Sequence, residues 1–252
     1  MRARRIQLER DGLYKGLTLA GWDDYYHNPI RNGHDRTPLH LGFDLLATLE
    51  GFNETGQSIF WMAGPPGLGK THLAKLLVHY YCLLNNKVGR YVNWKTFLAL
   101  YKDSFDDHNA HVSAAPYYKA DALVLDDVSA GFTTWELQQF YNLIEGRAGN
   151  DNDRSRKNLT IITSNRELRQ AYTTTIDERD VTITSFQDAL FQPQRRQDQQ
   201  NADYSLVAVQ VWDRIRPSVD GGRYTIAEVA IDADHTYEEY NAKKGAASDG
   251  AS

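Results

Sequence analysis

A single cysteine, Cys82, stands in 252 residues, which leaves no partner for an intramolecular disulfide and no way to build a zinc site from cysteines. Nowhere do 18 apolar residues run together, and the basic start, Met1-Arg-Ala-Arg-Arg, leads into no apolar h-region. Neither a membrane span nor a secretory leader is therefore expected, and the chain reads as soluble and cytoplasmic. Excess positive charge is also missing. A formal net charge of −5 gives no global attraction to nucleic acid, so any contact with DNA or RNA has to come from local basic clusters. No internal repeat occurs. What is present, 41% hydrophobic and 24% charged residues, suffices for one α/β domain with a full core.

The most informative stretch is residues 58–71. A short apolar run, Ile59 to Ala63, ends in Gly64-Pro-Pro-Gly-Leu-Gly-Lys-Thr, and an amphipathic helical pattern starts directly after it. This is the G-x-x-x-x-G-K-[ST] motif with the strand before and the helix after that its mechanism requires. Glycines let backbone N–H groups approach phosphates, and the helix adds its positive N-terminus. The expected nucleotide-binding set is Gly64, Pro65, Pro66, Gly67, Leu68, Gly69, Lys70, Thr71 and the adjoining His72. In this set Lys70 reaches the β- and γ-phosphates of the nucleotide, and the Thr71 hydroxyl ligates Mg²⁺.

The rest of the chain alternates helical and extended patterns. A helix is expected over residues 37–51, and another from Thr71 to Asn85 with Leu73, Leu76, Leu77, Tyr80, Tyr81 and Leu84 on one stripe and Cys82 packed within it. Strands are expected at Val88 to Trp94, Ala122 to Val128, Leu159 to Asn165 and Tyr224 to Ile231. Helices are expected at Lys95 to Lys102, Trp135 to Arg147 and Tyr204 to Ile215. Alternation at this spacing argues for a parallel sheet covered on both faces. Residues 1–36 read as an arm, 37–231 as the domain, about 190–203 as a polar, glutamine-rich insertion, and 232–252 as a disordered tail. Within the arm, Trp22, Tyr25 and Tyr26 must bury against something. Tyr25 either covers an adenine ring or belongs to N-terminal packing.

Asp126 and Asp127 end the apolar run Ala122 to Leu125, at the carboxyl edge where open α/β sheets bind ligands. Asp126 fits a metal-holding carboxylate and Asp127 the neighbour that polarises an attacking water; the bland alternative is a solvated acidic pair. Asp127 is one methylene shorter than glutamate and reaches about 1.5 Å less. Asn165 closes the next strand in Thr163-Ser164-Asn165, where an amide can hold the γ-phosphate and the water, or simply cap a turn. Arg214 and Arg216 follow an amphipathic helix and offer either an arginine that neutralises transition-state charge or surface salt bridges.

Gly64-Pro-Pro-Gly-Leu-Gly-Lys-Thr-His-Leu-Ala, Leu123-Val-Leu-Asp-Asp, Ile161-Ile-Thr-Ser-Asn and Val211-Trp-Asp-Arg-Ile together resemble the AAA+ ATPases of the DnaC/IstB group, over about residues 17–231. That group comprises replicative-helicase loaders and the helper ATPases of insertion-sequence transposition. The resemblance implies an α/β P-loop NTPase fold of AAA+ type, with a central parallel sheet flanked by helices. It also implies ATP and Mg²⁺, a homo-oligomer with sites between subunits, single-stranded DNA, and a helicase or transposase as client. It assigns Asn165 as sensor 1 and Arg214 as the finger, and it places Lys95, Lys102 and Lys119 on a helical element facing DNA, although Asp103, Asp106 and Asp107 suit a solvated face as well. The residues before the core leave no room for the separate partner-binding domain that loaders carry, and the segment from Asn165 to Arg214 is longer than expected. Loading of a replicative helicase is the first expectation. The others are a transposase client, an ATP-gated assembly switch with little hydrolysis, and a small-molecule kinase.

Overall fold

The computed structural model describes residues 49, 58–106, 114–129, 131–148, 158–169, 171–176, 179–192, 202–215 and 225–230. Strand β1 (Ile59–Ala63) feeds the glycine-rich loop and helix α1 (Lys70–Asn85). Then come β2 (Gly89–Asn93), α2 (Trp94–Asp106), α3 (Ala115–Lys119), β3 (Ala122–Asp126), α4 (Thr134–Ala148) and β4 (Leu159–Thr163). A hairpin of β5 (Tyr172–Ile176) and β6 (Arg179–Ile183), the short α5 (Phe186–Leu190), α6 (Ala202–Ile215) and β7 (Thr225–Ala230) follow.

Five strands form a parallel sheet in the order β2-β3-β4-β1-β7. The first crossover leaves β1 for the far edge, and each later one steps back across the sheet. Parallel crossovers are right-handed, so this change of direction puts α1 on one face and the later helices on the other. Side-chain alternation agrees. Ile59, Trp61, Leu123, Leu125 and Ile162 join Trp94 and Phe97 of α2, Phe140 and Ile144 of α4, and Tyr204 and Val211 of α6 in one core cluster. The alternate residues Phe60, Met62, Val124 and Ile161 are fully buried on the face that α1 covers with Leu73, Leu77, Tyr81 and Cys82. Burial on both faces explains why these strands read as unbroken apolar runs.

Local chemistry sets the boundaries. Asn86 ends α1 in the left-handed region (φ 53°), with its N–H on the Cys82 carbonyl, a conformation asparagine tolerates. Thr133 and Glu136 bond reciprocally ahead of α4, the Thr133 N–H to Glu136 Oε2 at 2.8 Å and the Glu136 N–H to Thr133 Oγ1 at 3.3 Å. The parallel sheet and the four helices expected beyond residue 70 are present, with boundaries shifted by a few residues. The helix expected over 37–51 lies outside the described residues except for the helical, buried Leu49, as do the arm, most of the glutamine-rich stretch and the tail. Two parts were not anticipated. The β5–β6 hairpin and α5 occupy the segment after Asn165 where the sequence pattern fades.

Candidate nucleotide site

Three adjacent strands, β1, β3 and β4, end at the same edge of the sheet, and the residues just past their ends converge on one cleft of about 690 Å³. Pro66, Gly67, Gly69, Lys70, Thr71 and His72 line it from the loop and the start of α1; Asn93, Asp126, Asp127, Thr163, Ser164 and Asn165 line it from the other strands. The loop turns tightly because Gly64, Gly67 and Gly69 sit at φ 141°, 82° and 76°, which side-chain-bearing residues avoid. Leu68 is buried beneath it. Helix α1 opens on Gly69 with no side-chain cap, so its first N–H groups are left to a ligand in the cleft.

Lys70 is only 7% exposed. Its ammonium donates to the carbonyls of Gly64 and Pro65, both at 2.7 Å, and to Asn165 Oδ1 at 2.9 Å. Burial lowers its pKa to about 8, with the nearby charges of Asp126 and Asp127 working against that fall. A cation already withdrawn from water and aimed into a phosphate-sized cleft is stabilised by an anion that replaces the lost solvation.

Asp126 ends β3, 5% exposed. Its Oδ1 accepts from Thr71 Oγ1 at 2.7 Å and from Thr163 Oγ1 at 2.6 Å, and its Oδ2 accepts from the Tyr91 hydroxyl at 2.9 Å. Thr163 Oγ1 in turn accepts from the Asp127 N–H at 2.9 Å, so β4 anchors both acids. Asp127 leaves the strand in the left-handed region (φ 57°), which short polar side chains can adopt, and its side chain is exposed at the cleft. The Tyr91 phenol is pushed above its ordinary range by burial first and the Asp126 carboxylate second, and it stays a donor. Lys75 Nζ lies 3.7 Å from the centre of the Tyr91 ring. Desolvation, then the charge of Lys75, lowers the His72 imidazole.

A model of the IstB-like ATP binding proteins matches residues 42–192. The chain belongs to that family. It is an ATP-binding protein of the IstB-like kind, with an α/β fold built on a parallel sheet and a P-loop. Among solved structures it is similar to the DnaC helicase loader, at 18% identity and TM-score 0.45, covering 83% of this chain and 99% of that one. It is similar to DnaI at 17% identity and TM-score 0.48, covering 76% and 84%. It is also similar to AMPPCP-bound DnaA from Aquifex aeolicus at 17% identity and TM-score 0.49, covering 92% of this chain and 55% of that one, so it spans about half the length of DnaA. No curated protein matches it in sequence.

The residues in the cleft fit the nucleotide of this family and a divalent ion. The glycine turn leaves its backbone open and Lys70 supplies the cation, while the Thr71 hydroxyl and Asp126 carboxylate are adjacent hard oxygen donors of the kind Mg²⁺ takes. Of the residues expected from sequence, Pro66, Gly67, Gly69, Lys70, Thr71, His72, Asp126, Asp127 and Asn165 line the cleft, while Gly64 and Pro65 accept from Lys70 and Leu68 is buried. Arg214 does not line the cleft. It sits on α6, bonded to Glu145 Oε2 of α4 at 2.9 Å and to Asp213 Oδ2 at 2.8 Å, over the Tyr141 ring. Tyr25 and Arg216 lie outside the described residues. Tyr91 and Thr163 were missed. Asn93, also unexpected, stands opposite Asp126 in the β2–β3 register, with Tyr91 two residues before it on the same strand face. Among the described residues, no helix is long and apolar enough to cross a membrane.

Proposed function

We propose that the chain is a cytoplasmic ATPase that binds MgATP, assembles with further copies of itself on single-stranded DNA, and loads a replicative helicase there. The observation that carries the hydrolytic part is the junction of three strand ends in one cleft, with Lys70 bonded to Asn165 and Thr71 to Asp126. Binding phosphate needs only the loop. The acid pair and the amide supply what a displacement by water requires.

In this reading the loop N–H groups and Lys70 hold the phosphates, and Thr71 and Asp126 hold Mg²⁺, which when bound neutralises phosphate charge. Asp127 draws a proton from the water that attacks, and Asn165 orients that water and the terminal phosphate. Arg214 acts on a neighbouring subunit's nucleotide, and Tyr25 covers the adenine. Among the described residues lining the cleft, none is a lid arginine of the kind a small-molecule kinase needs.

A second reading keeps the ATPase and gives it a transposase as client; the match to the IstB-like family favours it. Phosphate release measured against protein concentration, with and without single-stranded DNA, tests the assembly. It is expected to rise more than linearly with concentration and to respond to DNA. Linear, DNA-insensitive release would overturn assembly, and tight ATP binding without release would make the protein a switch. Sedimentation with the host's purified replicative helicase, and separately with a transposase encoded beside the gene, tests the client. ATP-dependent co-sedimentation with the helicase is expected, and binding to the transposase alone would transfer the conclusion to the second reading.

A further inference from the structure

The phenol of Tyr91 reaches the metal-holding carboxylate from a strand that carries no part of the P-loop, the acid pair or the Asn165 turn. Tyr91 lies on β2, the edge strand, and the β2–β3 register pairs it with Val124, two residues before Asp126 on the same sheet face. The ring extends along that face toward the cleft and donates to Asp126 Oδ2 at 2.9 Å. Both threonine bonds fall on the other oxygen, Oδ1. The phenol therefore adds a bond on the second oxygen and holds the carboxylate from a third side. Lys75 of α1 stands over the ring face, 3.7 Å from its centre, so the ring itself is held from the helix that begins at the P-loop.

We propose that Tyr91 is a positioning residue for the divalent ion: by fixing Oδ2 it orients Asp126 toward the ion, and it sets the Mg²⁺ concentration at which the site fills. This rests on the reading of Thr71 and Asp126 as the residues that hold the ion. Groups that orient a ligating carboxylate affect metal affinity by about 10- to 100-fold, and Asp126 keeps its two threonine bonds without Tyr91, which places the expected effect at the lower end.

The test reads binding rather than turnover. A fluorescent, non-hydrolysable ATP analogue is titrated onto the full chain at a series of Mg²⁺ concentrations, and Mn²⁺ retained by the protein–analogue complex is counted by electron paramagnetic resonance. Tyr91→Phe keeps the ring beneath Lys75 and removes only the hydroxyl. It is expected to raise the Mg²⁺ midpoint about 10-fold, to weaken Mn²⁺ retention in parallel, and to leave affinity in EDTA unchanged. Asp126→Asn serves as the reference and is expected to abolish the Mg²⁺ dependence. A Tyr91→Phe midpoint equal to that of the unaltered protein, with Asp126→Asn still effective, would overturn the role of Tyr91 alone. An unchanged midpoint in both variants would overturn the assignment of the ion to Asp126 and the inference with it.

Discussion

The Lys70 ammonium donates to the amide oxygen of Asn165 at 2.9 Å, joining two residues 95 positions apart and tying the P-loop to the end of β4. This bond and the two loop carbonyls satisfy a lysine that burial would otherwise leave without hydrogen-bond partners. A phosphate binding there would meet a lysine already held by protein acceptors and not a solvated cation.

Proton uptake follows from the lowered pKa of Lys70. Its ordinary value is 10.5 and burial brings it to about 8, so the free site penalises the charged form. That penalty is complete below pH 8 and fades as pH rises toward 10.5, where both folded and unfolded chains lose the proton. ATP favours the charged form, so affinity is expected to be highest below about pH 8 and to decline as pH rises through it. Calorimetry at pH 8.5 in buffers of different ionisation enthalpy checks this: net proton uptake on binding is expected, and none with Lys70→Ala. That variant is also expected to bind ATP at least about 10²-fold more weakly, from the loss of charge-assisted hydrogen bonds to phosphate.

Asp127 is exposed at the cleft, and the hydrogen bond found for it within the fold comes from its backbone N–H, so altering its carboxylate leaves the anchor on Thr163 in place. Asp127→Asn keeps size and geometry and removes the basic oxygen. Turnover is expected to drop by about 10²–10⁴-fold, with affinity for a non-hydrolysable analogue unchanged within about threefold. Equal losses of both would make Asp127 a binding residue.

Among the described residues, Arg147 is the largest fully buried charged side chain, 1% exposed at the end of α4. It donates to Thr160 Oγ1 at 2.8 Å, to the carbonyls of Ala120 at 3.0 Å and Leu159 at 2.7 Å, and to that of Tyr117, pinning α3 and the starts of β3 and β4 to one helix. Burial lowers its pKa, opposed by Asp121. Arg147→Met fills much of the same volume but leaves those oxygens without their donor. A loss of about 3 kcal/mol or more in urea unfolding is expected, with nucleotide affinity retained, because Arg147 does not line the cleft.

These cases show what a one-dimensional pattern carries. The loop from Gly64 to Thr71, and the acids ending the Ala122 run, were legible because their chemistry is local: a glycine turn between strand and helix, and carboxylates at a strand's carboxyl end. Asn165 was legible for the same reason. Tyr91 was not, because its bond to Asp126 depends on the register of β2 on β3, which a sequence does not display. Arg147 closes the helix expected from Trp135, and the pattern carries no sign of its burial, which comes from the carbonyls at α3 and at the starts of β3 and β4. The β5–β6 hairpin was hidden because Asp177-Glu178, the two residues between its strands in the sequence, lack the glycine or asparagine that announces a tight hairpin.

The last prediction concerns Arg214, whose guanidinium is held by Glu145 and Asp213 at its own α4–α6 junction. That ion pair is partly open to solvent, with side-chain exposures of 15% for Arg214 and 39% for Glu145, so it contributes only about 0.2–1 kcal/mol to stability. A pairing that weak can be exchanged for a phosphate at a subunit interface. Arg214→Ala is therefore expected to fold and to bind ATP as the unaltered chain does. At concentrations where copies assemble, its turnover should fall by about 10³-fold or more. Mixing it with Lys70→Ala separates the two roles: under the proposed assembly, Arg214 from one copy and Lys70 from the other would complete a single site, so partial activity is expected from two variants that are each inactive alone. A mixture as inactive as its components would place Arg214 outside the shared site and leave it as a strut between α4 and α6.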